Sequence, residues 1–437
     1  MKIRAKKILK YIVAIPLVII SLILINYMAA PVWKHFVTYP GLETEIAAFK
    51  SKYKKPKQFI PIPSYKGAMH AHSYWSHDSR GSLDEIVDAA NQAKLDFIFL
   101  SDHPHGHLDR HPRGYHGEYN GIIIESGTEY SSGLMVNPFD SVQLDWSQGE
   151  AKIIRSVAQQ GGLVTYVHSE EPHQWDNPFY HAMEIYNIHT DVLDEDGILP
   201  FLINNAINGE KYMQWCYREF YDDQLSIQFL WDTLNLKRKI VGIGAVDAHN
   251  NHSFKARYLE NGLVEWVGPN ADTISIRKEN WLDRMLLGKP DKYGWAFRWD
   301  LDSYFYSFNH VANHVFSNDF TNTSIKNSIV KGHLLVSFES LAEANGFQFF
   351  STDSRDKLSG ILGDSVTIDK AHQLQAVSPY PVKFYLLKNG HIIEEKENAY
   401  QYAYNVSNQP GNYRLTALIY FNHQWTTWVL TNPIYVH

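Results

Sequence analysis

The sequence contains 22 histidines in 437 residues, and several stand where a short apolar run ends. One run ends in His70-Ala71-His72, a second in Ser101-Asp102-His103, and a third leads to Glu125 and Gly127-Thr128-Glu129. A fourth ends in His168, a fifth carries Glu184 with Asn187 after it, and the last ends in Asp247-Ala248-His249. Residues two apart on a strand point to one face, so His70 and His72 can present both imidazoles to a single ion. Asp247 and His249 repeat that spacing on a distant run. Imidazole and carboxylate ligands without thiolate suit Zn²⁺, Mn²⁺ or Fe²⁺. One such histidine alone reads as a surface or hydrogen-bonded core residue. Six strand ends finishing in ligand types are different, because burying so many titratable groups without a cation is costly.

Ligands this far apart in sequence need a scaffold that collects strand ends. The apolar runs are Gly67–His72, Phe97–Leu100, Ile122–Ile124, Leu163–Val167, Met183–Tyr186 and Ile240–Val246. Leu83–Lys94, Ala151–Gln160 and Leu225–Lys239, which lie between them, have helical spacing. Strands alternating with helices predict a parallel sheet closing into an α/β barrel, whose C-terminal strand ends share one mouth. Asn251 to about Leu341 reads as a polar, aromatic insertion holding a helix at Trp281–Leu287. From Gly346 the pattern turns to antiparallel strands, with Lys388-Asn389-Gly390 as a hairpin turn. The expected division is therefore 34–65 as linker, 66–345 as barrel with insertion, and 346–437 as a β-sandwich-like domain.

The stretch His70-Ala71-His72-Ser73-Tyr74-Trp75-Ser76-His77-Asp78-Ser79 resembles the first motif of the PHP (polymerase and histidinol phosphatase) superfamily. Leu100-Ser101-Asp102-His103, Gly127-Thr128-Glu129, Tyr166-Val167-His168 and Asp247-Ala248-His249 are similar to its later motifs, in the same order. The resemblance implies a distorted (β/α)7 barrel holding two or three divalent metals. It implies His70, His72, Glu129 and Asp247 around one metal and Asp78, His103 and His249 around another. Glu129 would bridge to a third site with His168, while Asp247 would serve the first site alone. The family places a further histidine between the Glu129 and His168 motifs, and Tyr130 to Val167 contains none. The third site is therefore expected to be weak. Asp102 is the candidate catalytic carboxylate, acting by orienting a ligand through a hydrogen bond. His105, His173 and His252 are equal candidates for the proton donor, and Arg80 reads as an exposed helix-start residue.

Hydrophobic residues make up 44% of the chain and charged residues 20%, which excludes a disordered chain. A single cysteine, Cys216, excludes a disulfide framework and any CxxC motif. Lys2, Arg4, Lys6, Lys7 and Lys10 precede Tyr11, leaving a body more acidic than the net charge of −7. No nucleic-acid partner is expected of such a body. Tyr11–Ile25 is uncharged and almost wholly aliphatic, and residues 1–33 read as a cytoplasmic stub followed by a transmembrane helix. The basic flank predicts a single-pass anchor with everything after Trp33 periplasmic or extracellular. The expected activity is metal-dependent hydrolysis of a small phosphoester. A carbamate or carboxylic ester substrate on the same fold is the first alternative, and an anchored, non-catalytic binding module is the second.

Overall fold

The structure is a computed structural model that describes residues 26–106, 111–130, 133–138, 143–193, 198–406 and 408–437. It is a mixed α/β chain with several sheets. Apart from the short edge strand His116–Tyr119, the first strands in chain order are β1 (Ser64–Ala71), β2 (Phe97–Leu100), β3 (Ile122–Glu125), β4 (Thr128–Tyr130) and β5 (Leu134–Asn137). They are followed by β6 (Leu163–Tyr166), β7 (Ala182–Asn187) and β8 (Val241–Ala245). Nearly all of their residues are buried, which is why they read as continuous apolar runs rather than alternating ones.

Backbone pairing travels round a closed cycle. β1 pairs in parallel with β2, β2 with β3, β6 with β7, and β7 with β8. Past the end of β2, Asp102 bridges Thr128 and Glu129 N donates to Ser101 O, so β3 and β4 run as one interrupted strand along β2. The cycle closes where Val246 N donates to Met69 O and His72 N donates to Ala248 O. One strand departs from the expected parallel order. β5 is antiparallel to both β4 and β6, because only three residues separate it from β4, too few for a helical crossover.

Helices α1 (Tyr39–Lys50), α2 (Leu83–Gln92), α3 (Glu150–Gln159), α4 (Ile188–Leu193), α5 (Ile198–Arg218) and α6 (Leu225–Asn235) complete this part. α2 starts sharply because Ser82 and Glu85 form a reciprocal capping box. Residues 26–50, partly expected as linker, are helical throughout. They lie against α5 through Tyr39 Oη to Glu219 (2.7 Å) and Trp215 Nε1 to Glu43 (2.7 Å). The apolar stretch Tyr11–Ile25 lies outside the described residues. Among the described residues, no helix is long and apolar enough to cross a membrane.

The insertion resolves into a four-stranded antiparallel sheet of Ser253–Tyr258, Leu263–Val267, Thr273–Lys278 and Phe297–Asp300, with a short helix, Trp281–Leu286. Next come β9 (Ala312–Phe316), β10 (Leu334–Ser337), β11 (Gln348–Thr352), β12 (Gln373–Lys388), β13 (His391–Asn405), β14 (Gly411–Phe421) and β15 (Gln424–Thr431). Asn389 and Gly390 both have positive φ at the β12–β13 turn, as an Asn-Gly hairpin requires. The C-terminal strands join the rest in one ladder: β1 pairs with β9, β9 with β10, and β10 with β15. Beneath this seam, buried Glu339 lies 3.3 Å from Lys66 Nζ and 3.0 Å from His314 Nε2, and it accepts hydrogen bonds from Ser337 Oγ and Ala344 N.

Candidate metal centre

The strand ends deliver their side chains to one place. Ligand atoms of His70, His72, Glu129 and Asp247 all lie within 4.8 Å of one another, and so do those of His72, Asp78, His103 and His249. The two sets share His72, whose ring stacks on His249 at 3.8 Å.

Simple alternation does not explain the His70–His72 pair. The β1–β2 register shifts between Met69 and Ala71, and His70 sits in this bulge with φ 63°. A bulge re-aims its side chain, and here it sends His70 into the cluster. His168 and Asp247 also have positive φ, at 51° and 41°. Non-glycine residues held there cost on the order of 1–3 kcal/mol each, and such strain concentrates at functional sites.

Glu129 is the hub. Its Oε2 lies 2.9 Å from His70 Nε2, 3.1 Å from His72 Nε2 and 3.7 Å from His103 Nε2, while Oε1 lies 3.1 Å from His168 Nε2. Asp247 belongs to the His70–His72–Glu129 set, and its second oxygen reaches beyond it. Its Oδ1 faces His70 and His72 at 3.1 and 3.3 Å, and its Oδ2 faces His189 and His168 at 3.4 and 3.9 Å. His189, at the start of α4 and two residues past the end of β7, also stands beside the cluster, a position that no motif in the sequence singles out.

Behind these residues stands a layer that aims them. Glu184, fully buried, accepts His70 Nδ1–H (2.6 Å), the His168 backbone N–H (2.7 Å) and Asn187 Nδ2–H (2.8 Å). This carboxylate directs the Nε2 lone pair of His70 into the cluster. Asp102 is buried too, and Ser73 occupies both its oxygens through its backbone N–H (2.6 Å) and hydroxyl (2.9 Å). It therefore shapes the turn that carries His72. Ser76 donates to Asp78 (2.7 Å) and accepts from the His103 backbone N–H (3.2 Å), fixing two ligands at once. Arg80 is engaged by Ala271 O and Thr273 Oγ1 of the insertion.

The electrostatics suit cations. Burial alone would raise the Asp247 and Glu129 carboxyls, but the imidazoles around them outweigh it and hold both well below the usual range. Burial would likewise lower His70, but Asp247, Glu129 and Glu184 raise it well above the ordinary imidazole value. His103, by contrast, is pushed down to about 4, by burial first and then by His72, and so offers a free lone pair. Asp247 Oδ1 is buried without a hydrogen-bond partner. Packed carboxylates and imidazoles of this kind need either protons on the histidines or divalent cations between them, and the donor set fits Zn²⁺, Mn²⁺ or Fe²⁺.

No family model matches the chain, and no curated protein matches it. Among solved structures it is similar to the crystal structure of a two-domain protein containing a predicted PHP-like metal-dependent phosphoesterase from Bacteroides vulgatus. That match has 12% identity and a TM-score of 0.36, over 87% of this chain and 98% of the other. A likeness this faint carries no weight about activity, which has to come from the side chains.

Proposed function

We propose that the chain is a metal-dependent hydrolase built on a PHP-type barrel, with a phosphoester as its substrate. The observation that carries this reading is the pair of ligand sets sharing His72 at one end of a closed strand cycle. His70, His72, Glu129 and Asp247 would hold one cation, Asp78, His103 and His249 a second, and His168 and His189 would extend Glu129 and Asp247 toward a third. Such cations supply positive charge against phosphoryl oxygens and acidify water.

The chain's own residues do the rest. Glu129 and Asp247 keep the ligand sets at fixed spacing, Glu184 holds His70 in one tautomer, and Asp102 holds the turn that carries His72. His252 is the proton donor favoured by position. It lines the same cavity as Asp78 and His249, with Nδ1 3.4 Å from Asp302 Oδ2, which leaves Nε2 to deliver a proton to a leaving oxygen. His173, by contrast, hydrogen-bonds His168 O and stacks on Tyr166. We place the site outside the cytoplasm, held by a single N-terminal anchor, on the strength of the basic residues before Tyr11 and the apolar run after it.

Elemental analysis of the purified full-length chain, paired with phosphomonoester, phosphodiester and carbamate panels, tests the reading. Stoichiometric divalent metal with phosphoester turnover supports it. Folded protein that takes up no divalent metal would overturn it, and carbamate turnover alone would move the substrate class while keeping the site.

A further inference from the structure

The cluster opens into a cavity of about 290 Å³. Asp78, Asp247 and His249 form one of its walls. The other is apolar: Phe201, Tyr217, Phe220 and Leu301 line it, with the Phe201 and Phe220 rings 4.5 Å apart. Tyr217 donates its hydroxyl to Leu301 O (2.7 Å), so it shows the cavity a ring and no free donor. An apolar cavity of about 150 Å³ already accommodates a benzene ring, so this one has room for a fused pair. Among the described residues lining it, none is lysine or arginine.

Two acceptors in the lining lack donors. Asn251 is only 7% exposed, and its amide nitrogen is used on Asp78 O (2.9 Å), which leaves Oδ1 without a partner. Asp302 Oδ2 accepts from Asn251 N (2.9 Å), and its Oδ1 is also buried and unpartnered. Neither oxygen is open to the cavity, so neither adds polarity to the surface that a ligand would meet.

We propose that the substrate's organic part is an apolar, ring-bearing group seated between Phe201, Phe220 and Leu301. This rests on the phosphoester reading only for the reacting end.

Two measurements on the full-length, metal-loaded protein test it. The first is calorimetric binding of naphthalene-1,5-diol, which has no phosphoryl group and needs no cation. The diol is expected to bind. Phe201→Ala, and independently Phe220→Ala, should each weaken the diol about tenfold, with circular dichroism confirming the fold. The second is hydrolysis of 1-naphthylmethyl phosphate to 1-naphthylmethanol and phosphate, an alkyl ester whose leaving group resembles that of methyl phosphate. Its kcat/KM should exceed that of methyl phosphate by at least about tenfold, and Phe201→Ala should pull that ratio toward one. Diol binding that depends on Phe201, without turnover of any phosphoester, would support the cavity's occupant and overturn the phosphoester reading alone. Absence of diol binding, equal binding by wild type and both variants, or a preference for methyl phosphate would overturn the inference.

Discussion

Replacing Glu184 with glutamine changes one oxygen for an NH2 group, and the structure says what that must do. The wild-type carboxylate receives three donors: His70 Nδ1–H on Oε1, and the His168 N–H and Asn187 Nδ2–H on Oε2. A carboxylate can accept all three, whereas an amide has one accepting end. If the amide oxygen faces His70, its NH2 opposes two donors, and leaving buried donors unsatisfied costs about 1–3 kcal/mol each. If it faces His168 and Asn187, the NH2 points at His70 Nδ1, which must then become the acceptor. The His70 proton moves to Nε2, the nitrogen that lies 2.9 Å from Glu129 and 3.1 Å from Asp247, and the lone pair leaves the cluster. The second arrangement loses less hydrogen bonding, so Glu184→Gln should remain folded, about 1–3 kcal/mol less stable in urea. Its divalent metal affinity should fall about 10–100-fold, as for other residues that orient metal-binding histidines. Calorimetric metal titration and urea melts of both proteins read the two effects separately. Wild-type metal affinity in a folded Glu184→Gln protein would refute the role assigned to this carboxylate.

Glu129→Gln should weaken every cation site together, because Glu129 faces four histidines, whereas Asp247→Asn should act mainly on the site built on His70 and His72. Equal metal loss from every site of Asp247→Asn would show that its contacts with His168 and His189 hold cations too. At the seam under β1, burial alone would raise Glu339, but His314 and Lys66 outweigh it and bring it down to about 2 from the ordinary 4.5. A depressed folded pKa means its contribution is complete above pH 4.5 and is lost as pH falls toward 2, on the order of 3 kcal/mol in all. The stability gap between wild type and Glu339→Gln in urea melts should therefore be largest near neutrality and close over that window. A gap independent of pH would show that the ion pairs contribute nothing. For topology, a reporter active only in the cytoplasm, fused after His437, should be silent, and a signal from it would reverse the orientation drawn from the N-terminal lysines.

Much of the candidate centre was legible because ligand identity is a property of the residue itself. His70, His72, Glu129, Asp247 and His249 declare their chemistry wherever the chain puts them, and apolar runs mark the strands that must end beside them. What stayed hidden depends on the partners each residue meets in the fold. The Leu134–Asn137 run is only four residues long, and nothing within it says that it turns back antiparallel. The left-handed conformation of His70 is imposed by the neighbouring strand's register, a property no local pattern encodes. His189 lies just past a strand that also carries Glu184, and only the fold shows that Glu184 stands behind His70 while His189 faces Asp247. The C-terminal hairpins were readable from Asn389-Gly390 and their aromatic runs. Their attachment was not, because β10 lies in a stretch without a distinctive signal.

That attachment bears on how the molecule can be cut. β10 has a partner on each side, β9 toward the N-terminal strands and β15 toward the C-terminal ones. A chain ended near residue 345 would keep every ligand residue yet leave β10 as a bare edge, its apolar Leu334, Leu335 and Val336 flanked by unpaired backbone groups. Exposed edges of this kind recruit other chains. Truncated preparations should therefore collect in inclusion bodies even though the ligand set is complete, and the final ninety or so residues serve the site as a cover for its supporting sheet.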